Sequence, residues 1–382
     1  MNTSFREMCE SAADAWSVPA MAVGTAAGDE ISVVALGCAP ETTFRAASIT
    51  KPFTALLVGG LLDLEDATGV WPPEVRIRHL LSHLSGFDCE LPDRELARLG
   101  DGDDALTAAV SELRTVQRFV GVDEIWSYAN TGFWLAGHLA ALRAGTTYED
   151  ALTTRVLAPC GLEATTFGEP DLPGTGPFAL EGPYPRARRP SGGLVSTVGD
   201  LVRFGQRLLA EPFFVEMAQP RGKPIRGVYG LGLFGERVGG TDVWGHSGSY
   251  GGFESSLLVI PDADAVFVGL TNSSKGSKAL YDVENAFFDE VLGKRRTLPS
   301  FLELSDGMLA SFAGRYANSD LTAEIRAAPG GLVLAADGDE AFYRPVGARQ
   351  FQVPDGPNVR DRIDFPRDGL ARLGSRLAAR VS

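Results

Sequence analysis

Apolar positions change their spacing several times along the chain, and each change predicts an element. Thr3–Trp16 reads as a helix. Val18–Ala27 and Glu30–Gly37 are apolar runs around Gly28-Asp29, the signal of a β-hairpin. Ser48–Leu64 reads as a buried helix, and the stretch from about Val70 to Pro190 as helix-rich with Gly/Pro-containing loops. Thr197-Val198-Gly199-Asp200 is an N-cap pattern opening a helix through about Leu209. From Val228 the pattern becomes that of strands: Val228–Val238, Asp242–His246, Gly252–Pro261 and Ala265–Thr271, with Pro261-Asp262-Ala263-Asp264 as a turn. A helix is expected near Lys278–Leu292. Strands at both ends with helices between predict a sheet closed by the N- and C-terminal segments, with a helical insertion.

Arg295–Ser300 reads as a linker. Beyond it Gly314–Ala317, Leu321–Ala327, Gly331–Ala336, Phe342–Val346 and Gln350–Val353 are short runs broken by Gly, Pro and Asp, the pattern of a small antiparallel β domain. A single core stops growing near ~250–300 residues. The 382 residues therefore predict one large domain over 1–295, with a helical insertion at about 65–195, and a smaller one over 300–382. Hydrophobic content of 44% and charged content of 22% are ordinary for a globular enzyme. A net charge of −14 repels phosphate backbones and argues against a nucleic-acid partner. The N-terminus carries Arg6, Glu7 and Glu10 and no apolar run of signal-peptide length, and Cys9 lacks the residues a lipoprotein signal places before its cysteine. The most apolar stretches, around Ala55–Leu62 and Phe133–Leu142, fall short of the ~18 residues that span a bilayer. The expectation is a cytoplasmic protein with no membrane contact. Cys9, Cys38, Cys89 and Cys160 are scattered without a CxxC pair and read as small buried hydrophobes.

The candidate chemistry starts from the scarcity of lysine. Only five of the 35 basic residues are Lys, and only Lys51 has a serine three positions before it, in Ser48-Ile49-Thr50-Lys51. Residues i and i+3 of a helix share a face, so hydroxyl and amine can meet. Ser48 at the helix start lies near the positive end of the dipole, which favours a developing oxyanion. The bland reading is a capping Ser followed by a surface Lys. Two further motifs stand against it: Trp126-Ser127-Tyr128-Ala129-Asn130-Thr131-Gly132, and Trp244-Gly245-His246-Ser247-Gly248-Ser249 at the end of a predicted strand.

In this order the three motifs resemble the serine β-lactamase/penicillin-binding-protein superfamily, specifically class C β-lactamases and their esterase, D-aminopeptidase and transacylase relatives. Supporting segments are Phe44-Arg45-Ala46-Ala47, His79-Leu80-Leu81-Ser82-His83-Leu84-Ser85-Gly86, Ala158-Pro159-Cys160-Gly161-Leu162, Ser191-Gly192-Gly193-Leu194-Val195-Ser196-Thr197 and Tyr229-Gly230-Leu231-Gly232. The resemblance covers roughly Val18 to Leu292. It implies an α+β fold, a β-lactamase/transpeptidase-like antiparallel sheet flanked by helices with a helical subdomain. The tail from Phe301 is similar to the small lipocalin-like β domain of some relatives. Ser48 is implied as nucleophile, with Lys51 and Tyr128 activating it and Tyr128 passing protons onward. Asn130 is implied to orient the Lys and the substrate, and the backbone N–H groups of Ser48 and Ser249 to form the oxyanion hole. Substrate contacts are expected at His246, Gly248, Ser249 and Tyr250. Gly248, Gly251 and Gly252 would let substrate approach the strand edge closely.

The residue types fit the chemistry. A serine hydroxyl must lose its proton as it attacks. Lys is normally protonated, with a reference pKa of ~10.4, and Tyr neutral, at ~10. Burial lowers the first and a nearby cation the second, so either neutral Lys51 or phenolate-like Tyr128 could take the Ser48 proton. One departure is His246 where many β-lactamases and DD-peptidases carry Lys. A histidine titrates near ~6.5 and would hold a substrate carboxylate less firmly, which argues against a dedicated penicillin hydrolase.

The expected partner is a small ester or amide, with water, an amine or an alcohol receiving the acyl group. No cofactor and no metal are expected, and the oligomeric state is open. The alternatives are a β-lactamase or D-amino-acid peptidase, a non-catalytic binding protein that kept the fold, and a metallohydrolase using His79 and His83, which are four apart but lack the HExxH glutamate. His138 reads as a core or edge histidine. Arg186, Arg188 and Arg189 read as a solvated run that could dock an anionic group, Asp101, Asp103 and Asp104 as a solvated loop and cap, and Trp126, Phe133 and Trp134 as packing residues. The absence of GxSxG removes the α/β-hydrolase reading.

Overall fold

The structure is a computed structural model describing residues 3–381, except 29, 70, 71, 88–90, 92, 114, 115, 117, 181, 320 and 356–360. The chain opens with α1 (Thr3–Trp16), β1 (Met21–Ala27), β2 (Glu30–Leu36), β3 (Phe44–Arg45), a 3-10 turn at Ala47–Ile49 and α2 (Thr50–Gly59). The helical part follows: α3 (Ile77–Leu81), α4 (Asp93–Arg98), α5 (Ala105–Glu112), α6 (Asn130–Ala144), α7 (Tyr148–Leu152) and α8 (Arg189–Gly192). Then come β4 (Val195–Ser196), α9 (Val198–Ala210), α10 (Phe214–Met217), β5 (Val228–Tyr229), β6 (Phe234–Val238), β7 (Thr241–Tyr250), β8 (Phe253–Ile260), β9 (Ala265–Thr271) and α11 (Gly276–Leu292).

Seven of these strands form one antiparallel sheet in the order β2-β1-β9-β8-β7-β6-β5. The strand period of two sorts its side chains between two cores. From β8, Phe253, Leu257 and Val259 join Phe53 of α2 and Phe204 of α9, whereas Ile260 joins Phe5 of α1 and Phe287 of α11. Each such buried side chain contributes about 1.5–3 kcal/mol. The predicted hairpin forms with Ala27 paired to Glu30, although Asp29 lies outside the described residues. Thr197 caps α9 through its hydroxyl, which accepts the Asp200 N–H at 3.2 Å.

Three expectations about this part need correction. The helix expected over Ser48–Leu64 ends at Gly59, where two glycines of low helix propensity meet and the missing Gly59 side chain leaves room for the Phe213 ring. The strand expected over Val228–Val238 breaks into β5 and β6, because Gly232 takes a φ of +73° against the Lys51 carbonyl. The strand expected to stop at His246 runs to Tyr250, since β8 pairs with it from Trp244 to Tyr250. Gly251 and Gly252, both with positive φ, form its hairpin turn, and Gly252 packs on Thr175.

After the linker come α12 (Asp306–Phe312), β10 (Gly314–Ala317), β11 (Thr322–Ala328), β12 (Gly331–Ala336), β13 (Asp339–Gly347), β14 (Gln350–Gln352), β15 (Arg362–Arg367), β16 (Leu370–Leu373) and β17 (Arg376–Arg380). The eight strands close into an antiparallel barrel, with β17 returning to β10. Its interior is filled by Phe312, Tyr316, Phe351 and Phe365. The linker is anchored: Arg296, its side chain 9% exposed, donates to Glu284 at 2.5 Å and to Glu236.

Candidate active site

The polar residues of α2 explain where Ser48 sits. Thr50 donates to the Ala47 carbonyl at 2.7 Å and accepts the Leu194 N–H at 3.1 Å. Thr54 donates to the Pro190 carbonyl at 2.7 Å. The start of α2 is thereby fastened to the 188–194 turn. Ala47, next to Ser48, has a φ of +47°, a strained value for a residue with a side chain. Ser48 itself stays half-exposed while Ala47 and Ile49 are buried.

Two donors converge on the Ser48 hydroxyl. Lys51 Nζ lies 3.1 Å from Ser48 Oγ and also donates to the Ser191 carbonyl at 2.7 Å. Tyr128 OH donates to the same oxygen at 2.9 Å. Lys51 is fully buried, with its ammonium 4.8 Å from the centre of the Tyr128 ring. An oxygen receiving two such donors is solvated as an alkoxide would be, which is what a serine needs as it attacks. Ser48, Lys51 and Tyr128, separated by up to 80 positions, are thus brought together. Asn130, buried, opens α6 two residues beyond Tyr128.

The third motif reaches the same place along β7. A side chain on Gly248 would stand 2.4 Å from the Ala46 carbonyl and 2.9 Å from the Ser48 nitrogen. Only glycine lets the strand lie this close to the nucleophile turn. β6 pairs with β7 only as far as Gly245, so His246 to Tyr250 have β8 on one side and an open edge on the other. Ser249 turns its hydroxyl to the opposite face, donating to Glu254 at 2.6 Å; burial raises that carboxyl to about 7, against the pull of the bond. Tyr250 packs edge-on against Tyr184.

His246 departs from expectation. Its ring is buried, 6.1 Å from the Tyr128 ring and 5.1 Å from that of Phe234. Burial pushes the imidazole down to about 3, and the Lys51 charge pushes the same way. The ring is therefore neutral where an imidazole titrating near 6.5 was expected, which goes further in the direction already expected of a weak hold on a carboxylate. The folded state holds His246 uncharged far below the usual 6.5, so its ionisation contributes nothing to activity from about pH 5 to 8. His246→Asn is expected to change the height of the kcat/KM–pH profile and not its shape. Loss of an ionisation near pH 6.5 in that variant would contradict this.

His83, weighed above only as a metal ligand, and Tyr229 lie beside the phenol. His83 Nδ1 accepts the Ala129 N–H at 3.1 Å, which leaves the proton on Nε2 to donate to Tyr229 OH at 3.1 Å. Its ring lies 4.3 Å from the Tyr128 ring, and burial together with the Lys51 charge keeps it neutral. His79 faces Asp123 at 3.0 Å and accepts the Arg76 N–H, so the two histidines serve separate bonds. His138 is half-buried. Arg186 and Arg189 are spent on Glu149, and Arg186 also on Asp103, while Arg188 lies over the rings of Tyr184 and Tyr250. Trp126, Phe133 and Trp134 are buried, as expected of packing residues. Cys9 is buried, Cys38 and Cys160 are only half-buried, and Cys89 lies outside the described residues. No helix among the described residues is long and apolar enough to cross a membrane.

The Beta-lactamase family model matches residues 6–288. Penicillin-binding protein 4 of Amycolatopsis lactamdurans is 26% identical over 67% of this chain and 78% of its own. The D-aminopeptidase of Gluconobacter oxydans (strain 621H) is 26% identical over 77% of this chain and 61% of its own. The crystal structure of SurE with D-Leu superposes over the full length of both chains with a TM-score of 0.78 at 23% identity, a likeness of fold that includes the barrel.

Proposed function

The chain belongs to the Beta-lactamase family, and from that premise we propose that it is a serine acyl-enzyme hydrolase or acyltransferase with Ser48, Lys51 and Tyr128 as its acyl-transfer centre. The observation that carries this reading is the Ser48 hydroxyl held between Lys51 Nζ at 3.1 Å and Tyr128 OH at 2.9 Å. In the first step Ser48 Oγ bonds to the carbonyl carbon of a small ester or amide. Its proton passes to whichever of the two has first given up its own, Lys51 as a neutral amine or Tyr128 as a phenolate, and on to the leaving alcohol or amine as the C–O or C–N bond breaks. Backbone N–H groups of Ser48 and Ser249 take the oxyanion, each worth about 2.7–4 kcal/mol in such sites. Water then releases the acid, or an amine or alcohol takes the acyl group. A neutral His246 supports an acyl donor held without a carboxylate clamp at that position. The names of the relatives, a D-aminopeptidase and SurE with D-Leu, support a D-amino acid as the acyl donor.

The test is product analysis with D- and L-leucine methyl esters, with and without an added amine. A higher kcat/KM for the D-ester, with amide formed as amine is added, fits an acyltransferase. Free acid alone at every amine concentration would restrict the function to hydrolysis, and equal rates for the two enantiomers would remove the D-preference.

A further inference from the structure

Tyr128 lies in no helix or strand: 126–129 is an irregular stretch leading into α6. Something else must hold its phenol to within a few tenths of an ångström of its place beside Ser48, because side chains doing chemistry tolerate only about 0.5 Å of misplacement. On one side the stretch leans on His83, whose carbonyl accepts the Ser127 N–H at 3.2 Å and whose Nδ1 accepts the Ala129 N–H. On the other side its neighbour is the C-terminal barrel.

The contact is made by the β16–β17 hairpin. The Tyr128 N–H donates to the Ser375 carbonyl at 2.9 Å, and the Leu377 N–H donates to Ser127 Oγ at 3.3 Å. Arg372 reaches out of β16 and donates through Nη1 to the carbonyls of Trp126 and Lys223, each at 2.9 Å. Its other nitrogens are fixed by Asp364 of β15, at 2.9 and 2.6 Å, and both side chains are only 6% exposed. Val120 packs with Leu370 and Leu377 beside them, and Arg367 donates to the Phe119 carbonyl at 2.8 Å. A surface attachment would not bury a bidentate ion pair and aim its remaining nitrogen at the backbone next to the phenol. Taking such a pair out of water is unfavourable before its mutual attraction is counted.

We propose that Arg372, oriented by Asp364, is a positioning residue for Tyr128, so that the barrel sets the place of the phenol and belongs to the catalytic unit. The inference rests on the Ser48-Lys51-Tyr128 reading. Arg372 touches no reacting atom. It fixes the Trp126 carbonyl two residues before the phenol and ties it to the segment carrying Lys223, which leads into β5.

A double-mutant cycle on hydrolysis of a p-nitrophenyl ester tests it. Arg372→Met is expected to lower kcat by about 10- to 100-fold, with KM within about threefold, as for a displaced catalytic group. In a Tyr128→Phe background the same change should cost less than about twofold, because there is no phenolic hydroxyl left to misplace. A loss of equal size in both backgrounds, or wild-type kcat in Arg372→Met, overturns the proposal. Arg372→Met leaves Asp364 as a stranded charge, so Asp364→Leu/Arg372→Met is run in parallel. Replacing both partners by apolar residues removes the charge as well as the bonds and is often neutral for folding. If Arg372→Met fails to fold, the paired variant carries the same cycle, with the same result expected and the same results overturning it. Wild-type kcat in Tyr128→Phe alone would be a different failure: it removes the role of the phenol, and the positioning role with it.

Discussion

Ser48→Ala is expected to lower turnover of any ester or amide substrate by about 10⁴–10⁶-fold, down to what binding and the oxyanion site supply alone. The Ser48 hydroxyl receives both the Lys51 ammonium at 3.1 Å and the Tyr128 phenol at 2.9 Å. Thr50 and Thr54 spend their hydroxyls on the Ala47 and Pro190 carbonyls. The fold should survive the change. Ser48 is half-exposed, Lys51 keeps the Ser191 carbonyl, and the turn is held by Thr50. Steady-state kinetics with a thermal melt checks both halves. Turnover within about tenfold of wild type would mean that another group attacks, because losing a nucleophile costs far more than that.

The second large effect is expected at Lys51 and Tyr128. Tyr128→Phe removes one oxygen and leaves the ring against His83, so a fall in kcat of about 10²–10⁴-fold with an unchanged melting temperature isolates the proton-transfer role. Lys51→Ala should cost at least as much in kcat. It should also cost stability, about 1–3 kcal/mol, because the buried Ser191 carbonyl loses a donor. The two losses should not add. Both groups act on one oxygen, so the double variant should be little slower than the worse single one. Multiplicative losses would mean that the two residues act in separate steps.

How much of this could be read beforehand depended on the range of the interactions. Ser48 and Lys51 are one helical turn apart, and the strands of the sheet alternate in the expected way, so both were legible from local pattern. Tyr128 and the third motif were legible only as a set of motifs in a known order. His246 shows where such reading stops: its residue type was plain, but its charge state is decided by burial among Tyr128, Tyr229 and Phe234. Gly251 and Gly252 were visible as glycines, yet their use in a turn follows from pairing of β7 with β8 through Tyr250. The last three barrel strands escaped notice because Pro366 and several charged residues interrupt them and β16 has four residues. Arg372 and Asp364 looked like ordinary polar residues of a β domain. Their importance comes from a contact across 246 positions, between Arg372 and the Trp126 carbonyl, that no local pattern announces.

The central claim is that one serine oxygen carries the acyl group. Intact-mass measurement after incubation with a fluorophosphonate and with D-leucine methyl ester, followed by peptide mapping, tests it most directly. A single adduct on the peptide containing Ser48, absent in Ser48→Ala and slowed in Tyr128→Phe, is the predicted result. An adduct on any other residue, or ester turnover with no covalent species and full activity in Ser48→Ala, would contradict it.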